Sequence, residues 1–147
     1  MALEIEKFSH VAMQVSNLEA SIAFYHELLG LEMIFDRPYV DPRRPNHPLR
    51  VVGCVVGGTV TIEFMGDPER TREIDGSASP VLALNVADLQ DTHARLLAAG
   101  VEPMMPPTEM EPGVFMIFVR DPDGRTIEFV EFSSGASCSA EFANSTA

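Results

Sequence analysis

Residues 5–15, IEKFSHVAMQV, alternate between polar and apolar positions and predict a strand. Its alternation puts Phe8, His10, Ala12 and Gln14 on one face, and Ser9, Val11, Met13 and Val15 on the other. Ser16-Asn17-Leu18-Glu19 follows with the spacing of a capping box. The pattern then switches to a helical period over LEASIAFYHELLG, where Leu18, Ile22, Tyr25, Leu28 and Leu29 share a stripe and Gly30 suits the position after the helix. LEMIFDR returns to strand. PYVDPRRPNHP, with prolines at 38, 42, 45 and 48, predicts a long loop. LRVVGCVVGG and TVTIEFMG read as a hairpin turning at Gly57-Gly58, and DPERTREIDGSAS is a polar linker.

The second half has the same plan. PVLALNV is a strand, Asp88 caps the helix LQDTHARLLAAG, and Gly100 ends it. VEPMMPPTEMEPG reads as irregular, VFMIFVRD as a strand, PDG as a turn and RTIEFVEF as the last strand. Residues 133–147 are small and polar and are expected to form a disordered tail. QVSNL at 14–18 matches NVADL at 85–89, and TIEF occurs at 61–64 and again at 126–129. The chain is therefore an internal repeat of strand, helix and about three strands. An α+β fold follows, organised as one domain over 1–132 with modules 5–66 and 80–132.

The recurring acid is the chemically informative position. Glu63 and Glu128 each lie mid-strand, opposite in facing to their Ile and Phe neighbours. A helix over the apolar side of each sheet would leave His10, Gln14, Glu63, Asn85, Thr126 and Glu128 on the inner faces of the two halves, expected to converge on a cleft. A buried carboxylate is costly unless paired, protonated or metal-bound. Two carboxylates and an imidazole are a donor set for a divalent metal. Solvated strand carboxylates and an ordinary packed histidine are the competing reading, and only the combination favours a metal.

Composition narrows the partners. The 147 residues carry a formal net charge of −12, which disfavours nucleic acid and anionic membrane surfaces. No apolar run has the length of a membrane span, and the N-terminus lacks the order of a signal peptide. Two cysteines, Cys54 and Cys138, make no disulfide framework, and a cytoplasmic location is expected.

FSHVAMQVSNLEASIAFYHELLGLEMI, GGTVTIEFMG, LNVADLQDTHARLLAAGVE and RDPDGRTIEFVEF together resemble the vicinal-oxygen-chelate superfamily, which holds glyoxalase I, methylmalonyl-CoA epimerase, extradiol dioxygenases and the fosfomycin and bleomycin resistance proteins. The resemblance spans residues 5–132. It implies paired βαβββ modules forming a cupped mixed sheet, a homodimer and a small-molecule substrate or ligand. It also implies metal ligands at His10, Glu63 and Glu128. The fourth ligand position falls on Val81, which cannot bind a metal. A divalent ion (Fe, Mn, Co, Ni or Zn) is the implied cofactor. The implied activity is that of a lyase or isomerase moving a proton beside a carbonyl, with Glu128 first and Glu63 second as the base. The alternative is a metal-free protein that binds a small molecule or antibiotic. The loss at Val81 demotes dioxygenase chemistry.

The remaining candidates are weaker. Arg43, Arg44 and Arg50 form a basic patch able to recognise a carboxylate or phosphate, and Arg50 is a candidate substrate contact. Phe115, with Met104, Met105, Met110 and Met116, offers a soft apolar lining. Gln14 and Asn85 are candidate substrate contacts on the inner strands. His26 and His93 read as surface residues, His47 as a loop residue without a role, and Cys54 as buried and inert.

Overall fold

The computed structural model describes residues 3–133. The chain divides into two compact units between Ile74 and Asp75. The expected tail lies outside the described residues, apart from Ser133, whose N–H donates to the Gly113 carbonyl at 2.8 Å.

The first unit contains β1 (His10–Gln14), α1 (Leu18–Ile22), β2 (Glu32–Val40), β3 (Pro48–Val56) and β4 (Val60–Gly66), in the sheet order β1-β4-β3-β2. Strand β1 runs parallel to β4, and the other pairs are antiparallel. Asn17 rather than Ser16 is the helix cap: its side chain accepts the Ala20 N–H at 3.0 Å. The chain then widens into a π-helical segment, Ala23–Leu28, in which Leu29 N–H reaches back five residues to Phe24. This segment corrects the regular apolar stripe. Phe24 and Tyr25 are buried, while Leu28 and Leu29 are only half-buried. Tyr25 stacks on Phe64 with ring centroids 4.6 Å apart. Met13, Val15, Val52, Cys54, Ile62 and Phe64 form the buried face of the sheet, as the alternation predicted. The hairpin turn also stands, with positive φ at Gly57 and Gly58. Strand β2 extends through Pro38 to Val40, shortening the expected loop.

The second unit repeats the order with β5 (Leu82–Asn85), α2 (Leu89–Ala98), β6 (Thr108–Glu111), β7 (Val114–Arg120) and β8 (Thr126–Phe132), arranged β5-β8-β7-β6. Asp88 caps α2 through the Asp91 N–H at 2.8 Å, and the Glu131 carboxylate accepts the Leu89 N–H at 2.6 Å. Ile117, Val119, Ile127 and Phe129 are buried, as are Leu89 and Leu96 of the helix. The segment read as irregular contains β6, the fourth strand that the repeat itself calls for. Among the described residues no helix is long and apolar enough to cross a membrane.

The DPDG turn is built on buried charge. Asp121 Oδ1 accepts the N–H groups of Asp123 and Arg125, at 2.9 and 2.8 Å. The Arg125 guanidinium lies 3.0 Å from Asp123 Oδ2 and 3.3 Å from Asp121 Oδ2, with all three side chains buried. Gly76 N–H donates to the Asp123 carbonyl at 2.8 Å.

Candidate functional site

Strand register within each unit makes the two repeats equivalent position by position. Val11 pairs with Ile62 and Ala12 with Glu63; Leu82 pairs with Ile127 and Ala83 with Glu128. His10 pairs with Thr61, and the residue preceding β5 in the matching place is Val81, which is half exposed. Glu63 and Glu128 therefore occupy equivalent places, each on the sheet face turned away from its helix.

In the first unit that face holds His10 and Gln14 of β1 and Glu63 and Met65 of β4. Ser9 Oγ lies 2.9 Å from His10 Nδ1, leaving Nε2 toward Glu63, whose Oε2 is 3.7 Å away. His10 is 45 % and Glu63 22 % exposed, so the pair is open to a ligand. Two donors bound to one ion at ordinary metal–ligand lengths stand about 3.0–3.4 Å apart. A small side-chain adjustment brings this pair into that range. Imidazole and carboxylate are the donor types that suit first-row divalent ions. The pair fits two ligands of such a site. Among the described residues no group of three or more His, Cys, Asp or Glu side chains lies close enough to share an ion.

In the second unit, Glu128 shares its face with Asn85, which is exposed, and with Phe118 and Val130. Val114, Val130 and Phe132 form a buried apolar cluster, with Met116 packed against it. Burial raises the Glu128 pKa above the ordinary glutamate value. The native state therefore binds its proton more tightly than the unfolded chain, so stability falls as pH rises from the unfolded value through the folded one. In metal-free protein, Glu128→Gln is expected to raise the melting temperature relative to the parent at neutral pH. That advantage should vanish below the ordinary glutamate pKa. Equal melting temperatures at both pH values would contradict a desolvated carboxylate.

Two of the expected substrate contacts sit elsewhere. Arg50 lies on the helix-covered face, bonded to Asp36 Oδ1 and Oδ2 at 2.7 and 2.6 Å and to Glu19 Oε1 at 2.5 Å. Its pKa is raised, first by the Asp36 carboxylate and then by Glu19. Phe115 pairs with Glu131 and so lies on the helix side of its sheet, away from the Glu128 face. His26 is part-buried, with Nδ1 2.7 Å from the Leu31 carbonyl oxygen. Cys54 is buried, and desolvation raises its thiol pKa, which disfavours the reactive thiolate.

The sequence reading missed an aromatic beside each acid. Gly53 pairs with Glu63, and Phe118 pairs with Glu128. A Cβ built on Gly53 would lie 2.3 Å from the Phe35 ring, so Phe35 covers the glycine and fills the place that Phe118 fills directly in the other unit. Arg37 lies over the same ring at 5.5 Å. Glycine-to-alanine changes at ordinary backbone angles stabilise by about 0.4–1 kcal/mol. Here Gly53→Ala is expected to destabilise by about 1–3 kcal/mol through displacement of Phe35. Urea unfolding of G53A and of a G53A/F35L double variant checks this, the double recovering part of the loss.

A model of the Glyoxalase/Bleomycin resistance protein/Dioxygenase superfamily matches residues 7–129. A lactoylglutathione lyase of Neisseria meningitidis is 30% identical over 128 residues, covering 86% of this chain and 91% of that protein. Among solved structures, the trypanothione-dependent glyoxalase I of Leishmania major is similar at a TM-score of 0.71 with 26% identity, covering 97% of this chain and 95% of that one. An antibiotic-binding protein of a Streptomyces strain shares the fold at a TM-score of 0.67 with 23% identity, covering 90% of this chain and all of that one.

Proposed function

This chain belongs to the Glyoxalase/Bleomycin resistance protein/Dioxygenase superfamily, and from that premise we propose that it is a divalent-metal-dependent lyase or isomerase that moves a proton beside a carbonyl. The observation that carries the reading is the His10–Glu63 pair, with donor atoms 3.7 Å apart, together with a carboxylate at the register-equivalent position of the second unit. His10, Glu63 and Glu128 are the metal ligands in this reading, with the protein a homodimer. A divalent ion held there acts as a Lewis acid, polarising a substrate carbonyl and stabilising the charge that builds on its oxygen.

The protein's own groups handle the proton. Glu128, with its raised pKa, takes the proton from the carbon next to the carbonyl, and the C–H electron pair moves toward the carbonyl oxygen. The resulting carboxylic acid returns the proton to the neighbouring carbon or to the opposite face of the same carbon. A rearranged adduct or an epimer results. Ser9 fixes the His10 ring, and the Phe35 and Phe118 rings flank the two carboxylates with apolar surface that limits water. Gln14 and Asn85 are amide contacts for substrate on the same two faces. The similarity to the Neisseria lyase makes the adduct of a thiol with a 2-oxoaldehyde the first substrate class to test. Proton NMR in D2O checks the reading: metal-loaded protein should catalyse α-hydrogen exchange or rearrangement in such compounds, and no exchange across a panel of carbonyl compounds would overturn it.

A second reading is a metal-free binding protein for small molecules. Val81 favours it, because the position equivalent to His10 lacks a donor. Saturable ligand binding unaffected by chelation, with no turnover, is its signature.

A further inference from the structure

The two ring nitrogens of His10 face different partners. Ser9 Oγ lies 2.9 Å from Nδ1, within hydrogen-bond distance, and Glu63 Oε2 lies 3.7 Å from Nε2. The second separation exceeds the about 2.7–3.2 Å of an N–H···O bond, so Glu63 attracts the ring without fixing it. The bond that orients His10 is therefore the one to its chain neighbour. Neighbours within a strand point to opposite faces. Ser9 is released from that constraint because β1 begins at His10. It precedes the pleat, is exposed, and turns its hydroxyl back toward the ring.

The direction of that bond depends on where the ring proton sits. A neutral imidazole carries one N–H and one bare nitrogen, and the bond made at one nitrogen sets the state of the other. An ionised carboxylate only accepts. In the metal-free protein the ring proton is drawn to Nε2, on the side of Glu63, and the bare Nδ1 accepts the Ser9 O–H. Nε2 can hold a divalent ion only without its proton. The proton then sits on Nδ1, and Ser9 Oγ accepts it in a hydrogen bond. The ring is neutral in both states: the proton changes nitrogen and the hydroxyl rotates. A hydroxyl, with one O–H and two lone pairs on a single rotor, serves both states. A carboxylate at position 9 would serve only the second, and alanine neither.

We infer that Ser9 is a positioning residue for His10, its hydroxyl donating to Nδ1 in the metal-free protein and accepting from Nδ1 when Nε2 holds a divalent ion. The metal-bound half of that statement rests on the proposed function. The metal-free half stands on the placement of Ser9, His10 and Glu63 alone.

The test is a long-range 1H–15N NMR spectrum of the histidine rings in the 15N-labelled, metal-stripped full chain, above the ordinary histidine pKa. The His10 signals are identified by their absence in His10→Gln. The parent should show the Nε2–H tautomer, and added zinc should convert it to the Nδ1–H tautomer. Ser9→Ala should move the Nδ1 signal of the metal-free protein and weaken zinc binding about 10–100-fold, the usual effect of removing a partner behind a metal-binding histidine. Ser9→Thr keeps the hydroxyl and should restore both readouts, which a merely structural role for position 9 would not predict. The amide spectra of both variants report directly that the fold is kept. An Nδ1–H tautomer in the metal-free parent, or a Ser9→Ala variant with the Nδ1 signal and zinc affinity of the parent, would overturn the inference. Zinc without effect on the parent, beside the predicted metal-free spectra, would overturn the metal reading and leave Ser9 as the residue that orients His10.

Discussion

Arg125→Met should lower the stability of this protein by about 3–5 kcal/mol, the usual consequence of removing one partner from a buried ion pair. Arg125 is the cation between Asp121 and Asp123, and its loss strands two buried carboxylates. For a chain of this length the melting temperature should fall by roughly 10 °C or more. Arg125→Lys keeps the charge but not the planar fork, and should cost less. Gly76→Ala attacks the same turn from outside, because a Cβ there would stand 2.6 Å from Arg125 Cγ and 2.7 Å from the Asp123 carbonyl oxygen. A backbone oxygen cannot step aside, so this substitution should also destabilise the unit. Thermal unfolding by circular dichroism measures all three variants. A loss below about 1 kcal/mol for R125M would mean that water screens the network.

Glu63→Gln and Glu128→Gln should each remove the stabilisation that added Mn, Co, Ni or Zn gives the parent, because a ligand that binds only the native state raises its melting temperature by mass action. The two variants should differ in catalysis. Glu128→Gln is expected to slow α-hydrogen exchange by about 10²–10⁴-fold even when metal is supplied in excess, the usual contribution of a general base. Glu63→Gln should recover more exchange under excess metal, since its main role is as a ligand. NMR in D2O gives the exchange rates. Equal recovery of both variants would move the base away from Glu128.

Much of this arrangement is legible in the sequence, for an identifiable reason. Period-two alternation decides which residues face a helix, so Val11, Met13 and Val15 could be separated from His10 and Gln14 without a structure. The paired TIEF segments placed Glu63 and Glu128 at equivalent positions, and strand register agrees, including the alignment of Val81 with His10. What was hidden depends on contacts between distant residues or on local irregularity. The Arg50 bonds to Asp36 and Glu19 span 14 and 31 residues, so a local basic patch gave no sign of them. Phe35 over Gly53 is a cross-strand packing fact that composition does not carry. The π-helical segment shifts burial onto Phe24 by widening the turn, which a stripe drawn at 3.6 residues cannot anticipate. Strand β6 is short, follows Pro106 and Pro107, and carries exposed Glu109 and Glu111, so it lacks the apolar alternation of its counterparts.

In the proposed function His10, Glu63 and Glu128 would hold one divalent ion. The measurement that tests it most directly is metal content by mass spectrometry, on protein purified without a histidine tag, beside a Glu63→Gln/Glu128→Gln double variant. Near-stoichiometric metal in the parent and its loss from the double variant is the predicted result. A parent that takes up no metal, even after incubation with Fe, Mn, Co, Ni and Zn, would contradict it.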